Sequence, residues 1–272
     1  MVGKDSLDAE KIKANLNTRR IGGEVLVYDE TPSTNDVAAR YAKDKGNDGL
    51  VILAEQQTAG RGRGGAKWYS GRGDSILCSI LLTDSKLGGE LLSLTCAVAV
   101  AEGLDKPGGK QVRIKWPNDI ILNGKKVGGI LLESGMSDTN KFYVIGIGVN
   151  CHQKKGSFGA ELEPVATSID IESNRFVDRV SLIKRILVSI DRWLEVADKD
   201  SKKVMECWHR LSVQLGHRVT LIFNGRRFTG NCISMDAEKG LIVQLDSGGV
   251  RMFDAAHTSV ERTGNFRAGN GE

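Results

Sequence analysis

A chain of 272 residues is long enough for one large domain and one small one. Its 40% hydrophobic and 26% charged content is that of an ordinary globular protein, and a net charge of +4 falls short of a dedicated nucleic-acid binder. No apolar run approaches the ~18 residues a membrane span needs, and the charged N-terminus has no signal-peptide core.

Residues 1–20 read as a short polar helix or a frayed tail, and a strand is expected at 24–28. Thr31-Pro32-Ser33-Thr34-Asn35 is a turn leading into a helix with apolar Val37, Ala38, Tyr41 and Ala42, where a Ser33 or Thr34 hydroxyl suits the N-cap. A buried strand at 50–55 runs directly into Gln57-Thr58-Ala59-Gly60-Arg61-Gly62-Arg63-Gly64-Gly65-Ala66-Lys67-Trp68. Another strand is expected at 75–83 and a helix, buried on most sides, at 90–104. Strands at 113–115 and 120–122 bracket Lys115-Trp116-Pro117-Asn118-Asp119. Asn123-Gly124 tolerates positive φ at both positions and marks a hairpin, with return strands at 126–133 and 142–150. Residues 151–175 are polar and irregular; Val180, Ile183, Leu187, Ile190 and Leu194 then recur at helical spacing. Four short runs at 217–224, 226–234, 241–246 and 250–254, joined by glycine turns, have the texture of a small antiparallel barrel.

The five cysteines are widely spaced without C-x-x-C, which points to reduced thiols and a cytoplasmic protein. The four histidines make no zinc-binding pattern, so no metal ligands are assigned.

Two segments carry the chemistry. The 57–68 loop is too glycine-dense for core or helix. Its glycines let backbone N–H groups approach an anion, and Arg61 and Arg63 offer planar forks to carboxylate or phosphate oxygens. Lys67-Trp68 at its end could lie over a planar base. The alternative is a flexible Arg-Gly loop of the kind that contacts nucleic acid. Lys115, Asp119 and Lys126 place two cations and a carboxylate around the second segment, although Trp116-Pro117 alone could be a rigid turn. Together they describe a site for a ligand with more than one negative group, an activated acyl phosphate better than a nucleic acid. Gly128-Gly129 and Gly146-Ile147-Gly148 interrupt apolar strands, from a bulge, a close ligand approach or tight packing on a helix.

The order and spacing of Gly60-Arg61-Gly62-Arg63-Gly64, Lys115-Trp116-Pro117-Asn118-Asp119, the 126–133 strand and Gly146-Ile147-Gly148-Val149-Asn150 resemble the biotin protein ligases, over roughly residues 24–262. The resemblance implies an α+β fold: an N-terminal tail at 1–23, a class II synthetase-like catalytic domain with a mixed sheet and flanking helices at 24–212, an SH3-like β-barrel at 213–262 and a tail at 263–272. It implies formation of biotinyl-5′-adenylate from biotin and ATP with Mg²⁺, then transfer of biotin to a lysine of a biotin carboxyl carrier domain. By resemblance, Ser33, Thr34 and Asn35 sit at the mouth of the biotin pocket and Gln57 hydrogen-bonds within it. Gly60, Arg61, Gly62 and Arg63 belong to the loop that orders over the adenylate. Lys126 meets the biotin carboxylate and α-phosphate, making Arg63 and Lys126 the expected catalytic pair. Gly129, Gly148 and Asn150 form pocket-wall and adenylate contacts, Trp68 lies against adenine, and Lys115, Asn118 and Asp119 complete the set. Asp119 would either orient a lysine or serve the metal.

Gly64-Gly65-Ala66 departs from the further basic residues many members carry there, which implies a loop more mobile when empty. Only about 23 residues precede the first expected strand, against some 60 in a DNA-binding winged helix, so neither DNA binding nor repression is expected. No membrane partner is expected, and a homodimer is compatible with these features. A lipoate or octanoate ligase and a non-enzymatic RNA-binding module are the alternatives; 6% aromatic content disfavours the second.

Overall fold

The computed structural model describes residues 5–137 and 140–261. The tail expected at 263–272, residue 262 and the first four residues lie outside that range. At the centre of the fold is β3 (Ser75–Leu82), with every position buried. Side chains alternate across a strand, so Ile76, Cys78, Ile80 and Leu82 face one side while Leu77, Ser79 and Leu81 face the other.

Around β3 runs a seven-stranded sheet in the order β1-β2-β3-β7-β6-β5-β4. The other strands are β1 (Val25–Thr31), β2 (Val51–Gln57), β4 (Val112–Lys115), β5 (Asp119–Leu122), β6 (Lys125–Ser137) and β7 (Asn140–Asn150). Only β1 and β2 are parallel. The hairpin turn expected at Asn123-Gly124 is present, with φ of 51° and 76°.

On one face the sheet is covered by α3 (Gly89–Gly103), α5 (Arg179–Lys199) and α6 (Ser201–Leu211). Leu182, Ile183, Ile186, Leu187, Ile190 and Leu194 form the buried stripe of α5, and each such side chain contributes ~1.5–3 kcal/mol of burial. Gly103 brings α3 close to α5, since a Cβ there would stand 2.8 Å from the Ile186 Cα. On the other face α2 (Thr34–Tyr41) covers only one patch, where Val37, Ala38 and Ala42 meet Leu50, Ile52, Leu81 and Val144. The rest of that face is left for a cavity.

The C-terminal part is a five-stranded antiparallel sheet, ordered β11-β10-β9-β8-β12, from β8 (Arg218–Phe223), β9 (Arg226–Asp236), β10 (Gly240–Leu245), β11 (Val250–Phe253) and β12 (Thr258–Val260). The α+β class with a second, antiparallel β unit therefore holds.

Four elements differ from expectation. Ser33 occupies the N-cap position but its side chain makes no capping bond. Gln57 Oε1 instead accepts from the Thr34 N–H at 2.8 Å and the Thr34 hydroxyl at 2.9 Å, so a neighbouring strand does the capping. The irregular 151–175 stretch contains a short helix, α4 (Ile169–Ser173), capped by Ser168. Two further elements have no counterpart in the expectation: α6, whose apolar Val204, Cys207, Trp208 and Leu211 recur at helical spacing, and β12, whose three residues are too few to carry a pattern. The short polar helix expected near the N-terminus is present as α1 (Ala9–Lys13), and the chain ahead of it is anchored through Asp5, which bonds the buried Arg179. No helix among the described residues is long and apolar enough to cross a membrane.

Candidate active site

Strand register builds the site. Lys115 lies opposite Asp119, Asp119 opposite Gly129, Gly129 opposite Gly148, and Gly148 opposite Leu77. Directly opposed residues share a sheet face, so these five form one row across five strands. Beside it runs a second row, Leu131, Gly146 and Ser79. Both rows face the side that α2 leaves uncovered, and glycine at 129, 146 and 148 removes the side chains that would fill it. The space is a cavity of about 610 Å³.

Lys126 reaches this face through a β-bulge. Ile120 pairs with Gly128 but Ile121 pairs with Lys126, leaving Val127 as the extra residue. In a regular strand Lys126 and Gly129 would point to opposite faces; the bulge turns Lys126 to the cavity and Val127 to the core, where it is fully buried. The Lys126 ammonium then forms an ion pair with Asp119. Its backbone is clasped from outside, its N–H donating to Val165 O at 2.8 Å and its carbonyl accepting from the Thr167 N–H at 2.9 Å.

The 60–68 loop folds back on itself as a clasp. Trp68 N–H donates to Gly60 O, Gly62 N–H donates to Ala66 O, and Arg61 pairs with Lys67. The turn at its tip needs positive φ, which Gly64 and Gly65 supply at 60° and 78°. The Trp68 indole lies along the glycine floor: a Cβ on Gly148 would stand 2.6 Å from Cζ2, and Lys126 Nζ is 5.8 Å from the ring centroid. The buried Trp68 Nε1 has no hydrogen-bond partner among the described residues.

The two arginines behave differently. Arg61 is held by Asp36 at 2.6 Å and Glu133 at 2.9 Å, and the bonds to Asp36 and then Glu133 raise its pKa, so its charge is permanent. Arg63 points to the C-terminal sheet, donating to the carbonyls of Ala255 and, at 3.4 Å, Thr258. Burial lowers its pKa, against the attraction of Glu90, Asp119 and Asp254.

A polar network closes the end near α2. Ser79 Oγ lies 2.7 Å from Thr34 Oγ1 and 2.5 Å from Asn35 Oδ1, while Asn35 Nδ2 donates to Glu133 Oε2 at 2.7 Å. At the other end Asn118 Nδ2 donates to Ile130 O at 2.7 Å, and Asn150 Nδ2 donates to Thr167 O at 3.0 Å. Ser33, Lys115, Gly129, Gly146 and Gly148 also line the cavity. Of the biotin and adenylate contacts implied by the resemblance, only Gly60 does not line it directly. A Cβ at Gly60 would meet Trp68 O at 2.7 Å, so this glycine closes the clasp.

The glycines in β6 and β7 answer a question left open by the sequence. Two of them give room to side chains in the cavity, Asn35 over Gly146 and Trp68 over Gly148, rather than to a helix, while a Cβ at Gly129 would be in ordinary contact with Lys126 and Trp68. Gly128 instead passes the Gly148 carbonyl, 2.8 Å from where its Cβ would be.

Sequence reasoning missed Asp36, Ser79 and Glu133, which hold the arginine and the asparagine. It also missed the wall from Phe158, Leu162, Pro164, Val165 and Ala166. The only signal for Glu133 is a charge inside an apolar strand. The wall has none, because an irregular segment reveals its neighbours only in three dimensions.

The site thus joins an apolar, glycine-floored slot with hydrogen-bonding groups at one end to a cationic centre at the other. Residues 27–150 match the biotin/lipoate A/B protein ligase family. The bifunctional ligase/repressor BirA of Bacillus subtilis is 31% identical over 253 residues, covering 92% of this chain and 78% of that protein. The biotin–[acetyl-CoA-carboxylase] ligase of Mycobacterium tuberculosis is 29% identical over 262 residues, covering 92% and 95%. In fold, the biotin protein ligase of Aquifex aeolicus in complex with biotin and ATP superposes with a TM-score of 0.75 at 24% identity, over 89% of this chain and 100% of that one. With a relative above 30% identity along nearly its whole length, and the glycine floor, clasp and bulged lysine in one cavity, the chain belongs to the biotin protein ligases of the biotin/lipoate A/B protein ligase family.

Proposed function

We propose that this protein activates biotin with ATP as biotinyl-5′-adenylate and then transfers biotin to a lysine of a biotin carboxyl carrier domain. The observation that carries this reading is the bulge that turns Lys126 into a cavity otherwise floored by glycine. A cation is thereby set at the end of a slot wide enough for a fused ring and its acyl chain.

In the first step a biotin carboxylate oxygen attacks the α-phosphorus of ATP. A C–O–P linkage forms and the P–O bond to pyrophosphate breaks. Both reactants are anionic, so they must be neutralised before they meet, and Lys126 and Arg63 are the cations proposed to do so. Asp119 directs Lys126 until the substrates arrive, the orienting role among the two open to it. Arg61, saturated by Asp36 and Glu133, has the geometry of a strut for the loop rather than of a phosphate ligand. The hydrogen-bonding groups of Thr34, Asn35, Gln57 and Ser79 suit a ureido ring, and an acyl chain lacking that ring would leave them unpaired. In the second step the carrier amine attacks the acyl carbonyl, the N–C bond forms, AMP leaves and the amine proton passes to solvent.

Among the described residues no three His, Cys, Asp or Glu side chains converge to hold an ion. The donor set therefore fits Mg²⁺ carried in on the triphosphate, the usual mode for this ion, where it would offset phosphate charge.

Biotin-dependent exchange of pyrophosphate into ATP tests the reading, with lipoate and octanoate as competing acids. Exchange with biotin alone, followed by streptavidin-detectable labelling of a carrier domain, is the expected result. Exchange with lipoate in preference to biotin would overturn it.

A further inference from the structure

The segment joining α6 to the C-terminal sheet is built into the active site. Ser212 pairs in parallel fashion with Ile114, and Val213 N–H donates to Ile114 O at 3.0 Å, so the linker adds a short strand to the free edge of β4. The next residue, Gln214, is completely buried. Its side-chain amide takes both backbone groups of Trp116: Oε1 accepts from the Trp116 N–H at 2.5 Å, and Nε2 donates to Trp116 O at 3.3 Å. A primary amide is the uncharged side chain that offers a donor and an acceptor side by side, which makes this pair of bonds specific to glutamine at this length.

Trp116 lies between Lys115 and Asp119 in the turn from β4 to β5. Pro117 has no N–H to give. The indole is pinned by Glu90, whose Oε1 is 3.2 Å from Nε1, and Asn118 is tied to Ile130. The backbone of Trp116 is held by Gln214. Asp119, two residues after the proline, in turn holds the Lys126 ammonium.

We propose that Gln214 is a positioning residue for adenylate formation, fixing the Trp116 turn so that Asp119 sets where the Lys126 ammonium stands. The inference rests on the proposed ligase chemistry but concerns a residue outside the substrate contacts. It makes the linker, rather than the sheet alone, responsible for the geometry of the cationic centre. Misplacement of a reacting group by ~1 Å can cost on the order of 100-fold in rate, so a loose turn should be felt in kcat before it is felt in binding.

The test uses the full chain in biotin-dependent ATP–pyrophosphate exchange. Gln214→Met keeps the side-chain length and removes both bonds; kcat should fall on the order of tenfold or more while the biotin KM changes less than about twofold. Gln214→Glu provides the second readout. Protonated, its carboxyl offers the same acceptor and donor; ionised, it only accepts. Its kcat relative to wild type should therefore rise as pH is lowered, whereas that of Gln214→Met should not. If Gln214→Met does not fold, the pH dependence of the Gln214→Glu ratio decides by itself. Unchanged kcat in the variants, with only a lower melting temperature, would overturn the inference and leave Gln214 a packing residue. Absence of exchange in the wild type would instead overturn the ligase reading.

Discussion

Lys126 meets Asp119 only because Val127 is looped out of the β5–β6 ladder. In a regular ladder, with Val127 opposite Ile121, the lysine would point into the helix-covered core and the carboxylate would face an empty glycine slot. A single bulge thus decides whether the cavity contains its central cation. Bulges recur beside active sites because they re-aim one side chain without changing the sheet around it.

Lys126→Gln should abolish most adenylate formation. Removing a preorganised charge from a reacting centre costs ~3 kcal/mol or more, roughly a 100-fold loss in rate. The fold should survive, since Lys126 is partly exposed and its backbone bonds to Val165 and Thr167 do not involve the side chain. ATP–pyrophosphate exchange at saturating biotin measures this, and wild-type exchange would remove Lys126 from the chemistry.

Gly148→Ala should damage binding more than stability. The new methyl would stand 2.6 Å from the Trp68 indole, which must move off the floor, and overpacking of this kind costs ~1–3 kcal/mol. Titration calorimetry should show biotin affinity reduced by at least about tenfold. Unaltered affinity would mean that Trp68 can tilt away freely.

Arg63→Gly should separate synthesis from retention. The variant loses the bonds to Ala255 and Thr258 and a cation near the adenylate. Charge-assisted bonds contribute ~1.5–3 kcal/mol, or about one to two decades in dissociation rate. Escaped biotinyl-adenylate would acylate lysines on serum albumin, visible on a streptavidin blot, while wild type should label only its carrier. Clean carrier labelling by the variant would make Arg63 a tie between the two sheets and nothing more.

The clasp at 60–66 should exchange its amide hydrogens quickly in the free protein and slowly with biotinyl-adenylate bound. Its tip is Gly64-Gly65-Ala66, all three exposed, with few side-chain contacts to resist opening. Equal exchange in the two states would show a loop already set before ligand arrives.

Stability should fall above neutral pH through His152. Burial alone would push this imidazole down, but its bonds to Asp5 and Asp170 outweigh that and raise its pKa above 6.5. A raised histidine contributes fully below 6.5 and loses its contribution as pH climbs through the higher folded value. Asp5 acts at the other end: although burial opposes its charge, bonds from His152 and Arg179 hold its pKa down to about 2. Its contribution is present above 3.8 and is lost as pH falls towards about 2. Thermal melts across this range, compared with His152→Gln, should show the alkaline decline in the wild type and its loss in the variant.

The amino-acid sequence by itself determined the strands, the main helices and the candidate residues. The short apolar run at 75–83, the 3.6-residue stripe of 180–194 and Asn123-Gly124 each act within a few neighbouring residues, where backbone sterics and burial suffice. The glycine and lysine motifs were equally local, and their spacing carried the family resemblance. What only tertiary structure decided was partnership. That Gln57 rather than Ser33 caps α2, that Asp36 and Glu133 saturate Arg61, and that Gln214 holds Trp116 across 98 residues of chain are all long-range hydrogen bonds. No spacing in a sequence encodes them, because they depend on which strands pair and in what register. The same holds for Lys126: its identity is written in the chain, but its direction was settled by one unpaired residue in the ladder.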